Sequence, residues 1–302
     1  MATLGLRLCF TIGITIILSL PTVQTIYEVG WRQQDLVQPV SMVVEPLKLY
    51  LFIHCYNEND ILYFMDGDPE FILSVTGIFK PLCFNLEGKS GEIIRLIQDG
   101  NTDISVNARL ISDNTSTFIG TVSIIRKNVI IIVKPHIIIV NRERFQWNNI
   151  TAFLIRGHRV VISMNLIAVT FRNLNVTAIV KRHETGQKNG IESLSYLGFY
   201  LSDARGFSPY THGLLGQFLH KTVEIENLRY RNNRAKARLS ITSPLNPIPR
   251  RAMAVLGSKM NRALNTSTPC WVLRQDGRGV VDGRYNNYVV NSMRDISSLQ
   301  LQ

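Results

Sequence analysis

Six consecutive residues, Asp66-Gly67-Asp68-Pro69-Glu70-Phe71, set a carboxyl group where it can attack its own backbone. The Asp68 side chain lies one five-membered ring away from its own carbonyl carbon. The leaving group would be the ring nitrogen of Pro69, which is more basic than an ordinary amide nitrogen. Attack gives a cyclic anhydride that water or a sugar hydroxyl can open. Gly67 permits a tight, otherwise disfavoured turn just ahead of the bond. The plain alternative is a turn that leads into a strand, because a residue before proline is pushed toward extended backbone.

A second chemistry is carried by charge. The protein has a net charge of +11, and nine Lys/Arg with no Asp or Glu fall between Asn227 and Arg262. Such a segment suits phosphates, anionic lipids or sulfated sugars, against the plain reading of a solvated loop. Arg229, Arg231, Arg234, Lys236, Arg238, Arg250 and Arg251 are the glycosaminoglycan-binding candidates. Arg231-Asn232-Asn233-Arg234 and Arg250-Arg251 also read as convertase-type cleavage sites in an exposed loop.

Other motifs fail on spacing. Gly88-Lys89-Ser90 would need a glycine where Cys83 stands, so it is no phosphate loop. The run from Asp99 to Asp103 opens like a calcium loop, but Ile104 and Leu110 occupy the required Gly and Glu positions. It reads as a turn. No Gly-X-Ser-X-Gly or His-Glu-X-X-His is present, and His183-Glu184 reads as exposed loop. The expectation is therefore no turnover enzyme, at most a single self-cleavage at Asp68-Pro69, with no metal, no cofactor and no nucleic-acid partner.

The N-terminus predicts secretion. Arg7 precedes a thirteen-residue apolar run, Leu8 to Leu20, which is short for a bilayer span and right for a signal-peptide core. Pro21 ends it, and Val23-Gln24-Thr25 offers a cleavage site, so residues 1–25 are expected to be removed and no membrane contact to remain. Four Asn-X-Ser/Thr acceptors, at Asn114, Asn149, Asn175 and Asn265, fit a glycosylated product. Cys9 would leave with the signal. Cys55, Cys83 and Cys270 then make one disulfide and one further thiol, and spacing does not choose the pair.

The elements that position these groups read as strands. Residues 26–65 form a short N-terminal segment with little periodicity. From Phe71, β-rich runs recur every 8 to 12 residues or so, as in a sandwich or barrel. The expected strands are Phe71–Val75, Leu82–Leu86, Ile93–Gln98, Ile104–Leu110, Thr121–Arg126, Val129–Val133, Ile137–Val140, Phe153–Ile155, Val160–Met164, Ala168–Phe171 and Val176–Lys181. Turn chemistry at Asp99-Gly100, Lys127-Asn128 and Arg156-Gly157 separates them. His212 to Phe218 suits one short helix. Pro244, Pro247 and Pro249 predict an extended, mobile basic loop over 227–262. The expected architecture is all-β, an antiparallel sandwich or barrel-like domain over 66–290 with a tail at 291–302.

Taken in order, these pieces resemble the C-terminal region of inter-alpha-trypsin inhibitor heavy chains, and more distantly a von Willebrand type D module. The Asp66–Phe71 block is followed by Cys83-Phe84-Asn85 with Gly88, Gly91 and Ile94-Arg95-Leu96. Leu197-Gly198-Phe199-Tyr200, His212 to Phe218, Cys270-Trp271 and Asp282-Gly283-Arg284-Tyr285 complete the set, covering about residues 62 to 290. The resemblance implies cleavage at Asp68-Pro69, with Asp68 esterified to chondroitin sulfate and passed to hyaluronan. These two polysaccharides, and other matrix proteins, are the implied partners. Gly67 and Glu70 flank that site. Glu70 stands where the family has His, which removes a proton shuttle, and Thr211 stands where many relatives have Cys. Cys83 and Cys270 are the disulfide candidates, with Cys55 unpaired or an alternative partner.

Overall fold

The computed structural model describes residues 63–297, apart from 67–69, 87, 114–115, 149, 186–192, 232–233, 263–265, 274–276 and 278. All described residues belong to one compact unit, Glu58–Gln302. The described part is β throughout. In sequence order the strands begin β1 (Tyr63–Asp66), β2 (Glu70–Leu73), β3 (Leu82–Asn85), β4 (Ile93–Asp99), β5 (Ile104–Ser112) and β6 (Thr117–Arg126). They continue as β7 (Val129–Val133), β8 (Ile138–Val140), β9 (Glu143–Phe145), β10 (Thr151–Ile155), β11 (His158–Ile162), β12 (Leu166–Phe171) and β13 (Val176–Glu184). Last come β14 (Ser195–Asp203), β15 (Thr222–Arg231), β16 (Arg234–Ser243), β17 (Asn246–Asn261), β18 (Thr266–Leu273) and β19 (Val289–Val290).

These strands form one sheet of 19, not closed into a barrel. One arm pairs β10 to β14 in sequence, then β1, β2, β3, β18, β17, β16 and β15. The other pairs β9, β8, β7, β6, β5, β4 and β19. The arms meet where β14 touches β6 at Leu197 and Ile119. All strand pairs are antiparallel except β3 with β18, so the sheet is mixed rather than wholly antiparallel. Buried residues of both arms, from Met65 and Phe71 to Ile131, Val180 and Trp271, make a single core cluster.

Local chemistry explains the hairpins. Arg156 and Gly157 both have positive φ, 50° and 82°, which the two-residue β10–β11 turn requires. Asp103 and Lys127, in the β4–β5 and β6–β7 turns of the second arm, also sit at positive φ. The expected sandwich or barrel-like architecture holds in being all-β, while the sheet stays open because β9, β10, β15 and β19 each pair with a single strand.

The expected basic loop is corrected: residues 227–262 lie mainly in β15, β16 and β17. The three prolines do not prevent this because of where the ladder opens. Ser243 pairs with Asn246 and Ile241 with Arg250, so Pro247 and Pro249 fall in a stretch of β17 that skips its hydrogen-bonded partners. The expected short helix is only a 3-10 turn, Gly216–Phe218. The described part of the sheet begins with β1 at Tyr63. At the other end the tail is docked. Arg95, fully buried, donates to the carbonyls of Asp295 (3.0 Å) and Ser297 (2.8 Å), and Asn107 Nδ2 donates to those of Met293 and Asp295. No helix among the described residues is long and apolar enough to cross a membrane.

Candidate functional site

Strands β1 and β2 stand on either side of the Asp68-Pro69 bond in the sequence. Their register runs from Tyr63–Leu73 to Asp66–Glu70. Gly67, Asp68 and Pro69 themselves lie outside the described residues. Strand β1 is an interior strand, because β14 pairs with its other edge at Tyr63–Leu201, Phe64–Tyr200 and Met65–Phe199.

Glu70, the first described residue after the bond, has its charge compensated. The Lys259 ammonium donates to Glu70 Oε1 at 2.8 Å and to Asn85 Oδ1 at 2.9 Å. Glu70 and Asn85 are cross-strand neighbours, so β17 clamps β2 and β3 together from one ammonium. The Glu70 carboxylate is thus an ion-pair partner. On the other flank, β14 runs from Phe199, opposite Met65, back through Gly198 to Tyr196. There His183 stacks on Tyr196 with ring centroids 5.3 Å apart, and its Nε2 lies 2.9 Å from the Tyr200 hydroxyl. Arg262 donates to the Tyr196 hydroxyl at 2.9 Å.

His183, expected in a loop, lies instead in β13, paired with Tyr196, because the strand runs past Lys181 to Glu184. The period-2 spacing of Ile179, Lys181 and His183 is the signal in the sequence; the run of polar residues that closes the strand obscures it. The bond to Tyr200 and the stack on Tyr196 fix this imidazole within the strand, a contact that the motifs alone do not disclose.

The second group of candidates is brought together by strand register. Arg229 faces Lys236, and Arg231 pairs with Arg234. Arg238 and Ser240 follow on the same side of β16, and Ser240 pairs with Arg251. The burial alternation is clear: Arg234 and Arg238 are exposed and Lys236 half-buried, whereas Ala235, Ala237 and Leu239 are buried. Side chains directly opposite in a sheet share a face. Six of the seven candidate cations therefore hold register positions on one face. Among the described residues Arg251 is ion-paired with Glu226 at 2.9 Å, and no ion pair engages Arg229, Arg234, Lys236 or Arg238.

Arg250 is separated from the others. It pairs with Ile241, on the inward side, and its guanidinium lies 2.9 Å from Asp282 Oδ1. Lys221 reaches the same oxygen at 3.1 Å and also donates to Gln217 Oε1 and the Val280 carbonyl. Burial lowers the Lys221 pKa, and the Asp282 charge works against that fall. His212, lying over Tyr288, is likewise pushed down by burial, with Asp282 opposing. These groups line a cavity of about 310 Å3. They also explain the His212–Phe218 and Asp282–Tyr285 motifs as a structural lock. Gly213 has φ 105°, and a Cβ there would meet the Leu96 carbonyl oxygen at 2.4 Å. Thr211 donates to Asp99 Oδ2. Asp99 also accepts from Ser208 and from the Asn101 amide, as befits a turn.

Cys83 and Cys270 form a disulfide across β3 and β18, with Cα atoms 5.9 Å apart. Cys55 lies outside the described residues, as do Asn114, Asn149 and Asn265. Asn175 is exposed in a left-handed turn between β12 and β13, open to a glycan.

A family model described as the C-terminus of the inter-alpha-trypsin inhibitor heavy chain matches residues 101–275. Heavy chain H3 of Mesocricetus auratus is 28% identical over 246 residues, which is 76% of this protein and 28% of the relative. Heavy chain H3 of Homo sapiens is 26% identical over 265 residues, covering 83% and 29%. Heavy chain H2 of Sus scrofa is 27% identical over 242 residues, covering 75% and 26%. The sequence spans less than a third of the length of the curated relatives it matches.

Proposed function

Because the protein belongs to the inter-alpha-trypsin inhibitor heavy chain family through its C-terminal region, we propose that it is a secreted matrix protein that acts on glycosaminoglycan. The basic face of β15–β17 grips the sulfated polymer. One observation carries this reading: Arg229 directly opposite Lys236 puts like charges across from each other. Such pairs cost stability, and a polyanion removes the cost. Retention on immobilised heparin or chondroitin sulfate tests it. Neutralising Arg229, Arg234, Lys236 and Arg238 together should move elution to much lower salt, because surface charge attraction is screened. Unchanged elution would sink the reading.

The second reading concerns the Asp68-Pro69 bond and is favoured by the Asp66–Glu70 register that frames it. An Asp68 carboxyl oxygen attacks the Asp68 carbonyl carbon. The bond to the Pro69 nitrogen breaks, and that nitrogen takes up the carboxyl proton. A sugar hydroxyl of hyaluronan or chondroitin sulfate then opens the anhydride, forming an ester while its proton passes to the released carboxylate. Intact-mass analysis of the deglycosylated secreted protein decides this. A fragment beginning at Pro69, abolished by Asp68→Ala, supports the chemistry; a single uncut polypeptide rejects it.

A further inference from the structure

We propose that residues 63–66 are a non-covalently held strand for which the rest of the β unit is a preformed slot. Protein cut at Asp68-Pro69 then stays together as a two-piece complex. This rests on the cleavage reading for its biological occasion, though not for its geometry. The cut falls directly after β1. It would leave β1 on the N-terminal piece and every other described strand on the C-terminal piece.

Strand β1 is held from both edges. Its register with β2 covers all four residues, and its register with β14 covers three. Phe64 is 3% exposed and lies against Tyr200, with centroids 5.4 Å apart. Met65 is fully buried in the central core. Withdrawing the strand would expose both side chains and open the backbone edges of β2 and β14 at once. Open edges of that kind capture another strand. The slot is therefore matched to one occupant, the protein's own segment Tyr63-Phe64-Met65-Asp66. The Cys83–Cys270 disulfide lies wholly within the C-terminal piece and cannot act as the tether.

The consequence is specific. An Asp68 end that carries a sugar ester would sit two residues beyond β1. The polysaccharide would thus remain attached, through a strand and not a bond, to the unit that bears the basic face. Release of the C-terminal piece would need strand extraction as well as cleavage.

The test uses the full-length protein with a site-specific protease sequence in place of residues 67–69, made in a secretory host and cut after folding. A Cys55→Ser version excludes a disulfide tether. Both pieces should elute together on size exclusion at neutral pH, and part only in denaturant. Met65→Ala, mild enough to keep the fold, should speed their separation on dilution at least tenfold. An excess of a peptide spanning residues 60–68 should exchange into the cut protein. Pieces that separate as soon as they are cut would overturn the proposal. So would a complex whose lifetime Met65→Ala leaves unchanged, since other contacts would then hold it. A wild-type protein that is never cut at Asp68 rejects the cleavage reading alone; the engineered cut still reports on the strand.

Discussion

Two groups of cations, one gathered at Asp282 and one on the outward face of β15 and β16, have opposite surroundings. On the inward face, Lys221 and Arg250 converge on one carboxylate oxygen of Asp282, and Lys221 is 3% exposed. On the outward face, Arg229, Arg234, Lys236 and Arg238 have no acidic partner among the described residues. Each inward charge is matched and hydrogen-bonded, which is the condition for burying a charge. The outward charges are stacked against each other where the sheet would be more stable without them. Matched charge maintains the fold, and unmatched charge is available to a ligand.

The sharpest test of the matched side is Asp282→Ala. It strands the Lys221 ammonium in the core, and breaking a buried pair from one side costs about 3–5 kcal/mol. Thermal or urea unfolding should show this loss. A change below about 1 kcal/mol would mean that Lys221 finds water or another partner, and that the inward cluster is not the lock described here.

The docked tail offers a smaller test of the same rule. Arg95 is buried, with Asp295 Oδ1 at 2.9 Å. Asp295→Ala should cost about 2 kcal/mol, as expected for a charged hydrogen bond, and should free residues 293–297 to proteolysis. The Asp295 carboxyl is held below its ordinary value of 3.8, with burial opposing and hydrogen bonds from Ser297 and Arg95 prevailing. Its stabilisation is therefore complete above about pH 4 and is lost as the pH falls through the lowered folded value. Hydrogen exchange of the tail amides across that range would check the sign.

The two faces also differ in how readily the sequence discloses them. Strands from Phe71 to Lys181 are legible because β-branched alternation is punctuated by residues such as Gly157 that favour positive φ. Strands β15 to β17 are not, because Pro247 and Pro249 read as loop residues unless the register is known to open around them. The candidate cations are legible as a cluster, but their sorting is not. Arg250 and Arg251 are adjacent in sequence and point to opposite faces, one matched with Asp282 and the other with Glu226. His183 escapes notice for a related reason, since only pairing with Tyr196 shows that Lys181, Arg182, His183 and Glu184 continue a strand. The Cys83–Cys270 bridge needs the parallel β3–β18 contact, a pairing between segments separated by 187 residues.

The smallest expected effect discriminates best. Lys236→Glu turns the like-charged pair with Arg229 into an opposite-charged one, and no buried group is touched. Cross-strand charge pairs are worth a few tenths of a kcal/mol, so the variant should gain roughly 0.5 kcal/mol in urea unfolding. The same variant should elute from heparin at lower salt. The two readouts must move in opposite senses, stability up and retention down, if the face is kept basic for a ligand at the expense of the sheet. A variant that loses stability would place Lys236 in the matched class instead. One that gains stability and keeps its retention would move the polyanion away from β15–β16 altogether.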